Sequence, residues 1–124
     1  MEKTVSTINK SAKKNSDLEN PKSQFRVETI EYVSHSVVSK TIIKKPTGIV
    51  SMLAFDSGQQ LAEKICPFDT FINIIEGNAE IIIGNISNRL KAGESIIIPA
   101  HSSHIMKANE KFKILSVIIK SGYE

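Results

Sequence analysis

The chain has 124 residues, 40% of them apolar and 23% charged, which suits one soluble domain with a core built without disulfides or a structural metal. Its net charge of +3 divides into +2 on residues 1–24 and +1 on the rest. A nearly neutral body with few aromatics lacks the basic patch that nucleic-acid binding requires, and its longest apolar runs are far too short to span a membrane. The single Cys66 cannot form an intramolecular disulfide, and no apolar leader-like stretch follows the N-terminus, so a cytoplasmic protein is expected.

Residues 1–24 are polar with no sustained apolar period, and they are expected to form a flexible or partner-docking tail. From Phe25 to Glu124 the chain reads as one domain of short strands, near 25–30, 36–43, 48–55, 60–65, 70–76, 79–84, 87–90, 95–98, 103–108 and 112–120. Isoleucine and valine dominate these runs, and turn-forming clusters such as "KKPTG", "DSG", "CPFD", "EGN" and "KAGE" separate them. No helical period of useful length occurs, which predicts an all-β sandwich or barrel. The triplets at 81–83 and 96–98 lack alternation, which predicts strands covered on both faces.

Two stretches carry a family resemblance. One is Gly93, "ESIII", Pro99, Ala100, His101, Ser102, Ser103, His104; the other runs from Gly58 through "TFINIIEG" to Gly77, followed by "AEIIIGN". In order and spacing they resemble the two motifs of the cupin superfamily, specifically a small single-domain cupin of the cupin-2 conserved barrel type. The resemblance covers roughly residues 25–120. It implies a double-stranded β-helix, that is, a jelly-roll barrel, and a homodimer formed by sheet packing or strand exchange. By strand parity Phe71, Ile75 and Ile97 face outward, which suits such pairing.

Metal-binding cupins take two histidines and a glutamate from the first motif and a histidine from the second. By position these fall on Lys64, Cys66, Thr70 and His104, and only His104 retains the ligand type. His101 stands where the second motif has its second glycine, and it reads first as a surface turn residue. A protonated lysine offers no lone pair and a threonine hydroxyl is a poor ligand for softer divalent ions, so no metal cofactor is expected. The minority alternative is a zinc ion held by Cys66, His101 and His104, which would make the protein a metal-dependent oxygenase or isomerase.

The resemblance thus implies a barrel cavity that binds an unknown small polar or anionic molecule through Lys64 and His104, with Cys66, Thr70 and His101 as further candidate contacts. Two rival expectations stand beside it. Lys64 and His104 could act as an acid–base pair in an enzyme, or the cavity could be filled by its own side chains in an inert structural dimer. The simpler reading of Lys64 places it near the rim, paired with Asp69 or Glu63, and Glu76 reads as turn chemistry. No phosphate-binding glycine loop, nucleophile elbow or CxxC pair is present.

Overall fold

The computed structural model describes residues 30–120, and they contain eight strands and no helix. The expected tail and the first expected strand up to residue 29 lie outside these residues. The strands are β1 (Val37–Lys45), β2 (Gly48–Phe55), β3 (Gln60–Ile65), β4 (Asp69–Ile83), β5 (Ile86–Lys91), β6 (Ser95–Ile98), β7 (Ser103–Lys107) and β8 (Phe112–Ile119). All pairings are antiparallel. One sheet contains β1, β2, β8, the first half of β4 and then β6. The other contains β3, β7, the second half of β4 and then β5. This is the double-stranded β-helix that the motifs implied.

β4 corrects the sequence reading, which divided it into two strands at "EGN". It is one 15-residue strand that serves both sheets. Its inward positions are Thr70, Ile72 and Ile74 before the crossing, then Ala79 and Ile81 after it. The switch from even to odd numbering comes from a register shift between Ile74 and Glu76, where one residue is accommodated without a ladder partner. Gly77 follows at φ 81°, and a Cβ there would meet the Lys111 carbonyl oxygen and lie 2.9 Å from Phe112 Cα. Only glycine fits so near the neighbouring backbone in a left-handed conformation.

The core lies between the sheets. Phe55, Ile72, Ile74, Ile81, Ile98, Phe112 and Ile114 are fully buried, each worth about 1.5–3 kcal/mol of transfer free energy. Phe55 and Phe112 are register partners and stack with centroids 4.3 Å apart, closing one end of the barrel.

A second cluster lies on the outer face of the first sheet, where Ile30 packs with Met52 and Ala54 and against Tyr32, Val38, Ile42, Ile75 and Leu115. The chain therefore covers part of this outer face itself. Of the three residues expected to face outward, Ile75 is half-buried under this cover, while Phe71 and Ile97 are exposed register partners. The cover is fastened by polar contacts. The Tyr32 hydroxyl donates to Glu76 Oε2 at 2.7 Å, and Lys113 Nζ lies 3.8 Å from Glu76 Oε1. The ammonium groups of Lys111 and Lys113 sit 5.1 and 5.0 Å from the Tyr32 ring centroid. Glu76 is thus a strand residue holding a partner, rather than turn chemistry.

Candidate functional site

The barrel is open at the end opposite the stacked phenylalanines, leaving a cavity of about 190 Å³. Strand register brings its walls together. β3 and β7 place Lys64 opposite His104, and Cys66 follows just past the end of β3. Thr70 enters from the start of β4, between Ile98 on β6 and Ile118 on β8. Ser51 on β2 and Ser116 on β8 are register partners one layer deeper, with Ser39 on β1 beyond them. Leu53, Leu61, Met106 and Ile118 supply the apolar remainder.

Four of the five candidate residues therefore share one cavity: Lys64, Cys66, Thr70 and His104. His101 does not line it. It is exposed at φ 68°, in the left-handed conformation that the motif's glycine would adopt, and its backbone N–H donates to the Cys66 carbonyl at 2.7 Å. His101 thus ties the turn after β6 to the segment after β3. The Asp69 carboxylate, once considered a partner for Lys64, accepts from the Ala100 N–H at 2.8 Å. The serines of β1, β2 and β8 were missed in the sequence reading. The signal was a polar residue at an inward position of an otherwise apolar strand, as in "GIVSMLAF" and "FKILSVII".

His104 is 8% exposed, and its Nδ1 is buried without a hydrogen-bond partner. Its pKa is lowered, chiefly by burial; the Ser102 carbonyl draws it back upward, and the Lys64 charge pushes it down. That carbonyl does not complete a hydrogen bond to Nδ1, so burial prevails and the ring is neutral near pH 7. Lys64 is exposed at the cavity rim. Thr70 and Ser116 are 6% and 9% exposed. Among the described residues, no hydrogen bond or ion pair within the chain engages the side chains of Ser51, Lys64, Thr70 or Ser116. Among the described residues no carboxylate lines the cavity.

This donor set does not fit the divalent metal of the fold family. One imidazole, one thiol, one hydroxyl and one ammonium occupy the four positions, and no anionic oxygen is among them. The alternative zinc trio of Cys66, His101 and His104 is not assembled, because His101 points to solvent. Among the described residues no three His, Cys, Asp or Glu side chains gather as metal ligands. A second depression of about 310 Å³ lies beside the β4–β5 hairpin and includes Glu80, Arg89, Lys91 and Glu94. Its central carboxylate is engaged already: Glu80 accepts from Ser87 and Asn109 and lies 3.7 Å from Arg89.

Comparison with known proteins agrees with this fold. No family profile matches the chain. A pyrimidine/purine nucleoside phosphorylase from Wolinella succinogenes is 33% identical over 86 residues, spanning 64% of this chain and 75% of that protein. A conserved protein of unknown function from Streptococcus pyogenes superposes with a TM-score of 0.68 at 28% identity, over 71% of this chain and 77% of that one. A cupin superfamily protein from Desulfitobacterium hafniense superposes with a TM-score of 0.72 at 24% identity, over 74% and 84% of the two chains. A cupin 2 conserved barrel domain protein from Leptotrichia buccalis gives a TM-score of 0.74 at 27% identity; 77% of this chain matches 46% of it. Among the described residues no helix is long and apolar enough to cross a membrane.

Proposed function

This chain belongs to the cupin superfamily and is a family relative of a nucleoside phosphorylase, and from that premise we propose that it binds a small anionic molecule in its barrel cavity, without the superfamily's metal. The observation that carries this reading is the cavity's charge. Lys64 is a cation at the rim beside the His104 imidazole, and among the described residues no carboxylate lines the cavity. An anion entering there exchanges water for a charge-assisted contact in a partly dry cavity, whereas an organic cation meets an ammonium and no counter-charge.

Calorimetric titration with acetate, succinate and inorganic phosphate tests this. At least one of these binds, and Lys64→Met weakens it roughly ten- to a hundredfold, the worth of one hydrogen bond to a charged group. Protein incubated with zinc, iron and manganese and then desalted retains far less than one metal per chain by plasma mass spectrometry. Stoichiometric metal that is lost in His104→Ala would defeat the metal-free reading.

A second reading is favoured by the Wolinella relative, which is a nucleoside phosphorylase. A cavity of about 190 Å³ has room for phosphate and a pentose, with the base left at the mouth. Phosphorolysis is read directly: uridine or inosine incubated with phosphate releases free base and ribose 1-phosphate. Release that requires phosphate and falls in Lys64→Met makes the protein an enzyme of that class. No release at high enzyme concentration leaves the binding reading alone.

A further inference from the structure

The two walls of the cavity differ, and the difference bears on what the anion carries besides its charge. β3 and β7 supply Lys64 and His104, and the segment just after β3 supplies Cys66. The facing sheet supplies only hydroxyls among its polar lining groups: Ser39, Ser51, Thr70 and Ser116. Ser51 and Ser116 are register partners on adjacent strands, so they stand about 4.8 Å apart across the sheet. Thr70 and Ser116 are more than nine-tenths buried, and among the described residues no side-chain hydrogen bond within the chain involves them. Among the described residues the enclosed side-chain atom that lacks a partner is His104 Nδ1, so the Thr70 and Ser116 hydroxyls open onto the cavity, where water or an occupant bonds to them. Serine at two inward positions of apolar strands gives this wall hydroxyls to which a hydroxylated occupant can bond.

We propose that the occupant is a small polyhydroxylated carboxylate of the sugar-acid class, its carboxylate at Lys64 and His104 and its hydroxyls along Thr70, Ser116 and Ser51. This inference rests on the anion-binding reading and narrows it. The charge balance favours a monoanion over a phosphate dianion, since among the described residues Lys64 is the one cation lining the cavity and the buried imidazole is neutral near pH 7. At about 190 Å³ the cavity is smaller than the ~300–1,000 Å³ pockets that bury drug-sized ligands, which limits the occupant to roughly four to six carbons. Leu53, Leu61, Met106 and Ile118 then meet its C–H faces.

The test is calorimetry on the full chain at pH 7.5 with four probes. D-Gluconate carries both features, hexanoate keeps the carboxylate and six-carbon length without hydroxyls, sorbitol keeps the hydroxyls without charge, and inorganic phosphate is the dianion. The expected result is gluconate binding at least tenfold tighter than each of the other three. In the double variant Ser51→Ala with Ser116→Ala, gluconate affinity falls at least tenfold while hexanoate affinity is unchanged, which also shows that the cavity still forms. Hexanoate or phosphate binding as tightly as gluconate overturns the sugar-acid assignment and leaves the anion reading standing. Sorbitol binding as tightly as gluconate, or no binding by any anion, overturns both.

Discussion

His104 combines burial, a neutral ring and a neighbouring ammonium, and each has a consequence for pH. Its folded-state pKa lies below the ordinary value of 6.5, so between the two values the unfolded chain holds the proton more readily. Its contribution to stability is therefore complete above about pH 6.5 and is lost as the pH falls through that value toward the depressed one. The melting temperature of the wild type should accordingly fall faster on acidification from about pH 6.5 than that of His104→Gln, which has nothing to titrate there. Equal slopes would mean that the ring is not held neutral. Asp56 and Glu80 are also depressed, Asp56 chiefly by the His35 and Ser57 backbone N–H groups and Glu80 chiefly by the Ser87 and Asn109 side chains. Their contributions fade at lower pH in both proteins, so the difference between the two curves isolates His104. An anion bound beside the ring favours its protonated form and should shrink that difference.

At the scale of an element, β4 carries the fold from one sheet to the other, and Gly77 is its most constrained residue. Gly77→Ala forces a Cβ against the Lys111–Phe112 backbone at a left-handed φ. A loss of about 3 kcal/mol or more is expected from urea unfolding, against about 1 kcal/mol or less for an exposed turn position such as Asn85→Ala. The sequence reading matched β2, β3 and β6 to the residue, because glycine, proline or a turn cluster bounds each of them. It divided β4 because "EGN" has turn composition, and only the neighbouring strands reveal that a bulge spends those residues on changing parity rather than direction. The site was legible where motif spacing fixed it, at Lys64, Cys66, Thr70 and His104. The serine row was not, because it depends on the registers of β1, β2 and β8, which are long-range pairings. His101 was legible as a glycine substitute at a surface turn, and it lies there, exposed and at φ 68°.

At the scale of the molecule, the outer face of the first sheet is half covered. Ile30 and Tyr32 close the part over Met52, Ala54 and Ile75, while Phe71 at 37% exposure and Ile97 at 62% stay open, with Ile119 near them on β8. Paired exposed apolar residues on a flat sheet suit isologous contact with a second copy. Sedimentation at micromolar concentration should give a dimer, and Phe71→Lys with Ile97→Lys should give a folded monomer. A wild-type monomer at all concentrations would count against the homodimer.

The fastening of Tyr32 also makes it an optical probe. The chain contains no tryptophan and two tyrosines, so once Tyr123 is replaced its near-ultraviolet emission is that of a single phenol, the one held against Glu76 and two ammonium groups. The barrel core, built of isoleucine and stacked phenylalanine, contributes little to that signal. Tyrosine fluorescence therefore follows the cover on the outer sheet, and far-ultraviolet dichroism follows the strands. With Tyr123→Phe to remove the other emitter, a fluorescence change at lower urea than the dichroic one separates the peeling of Ile30–Tyr32 from the opening of the barrel.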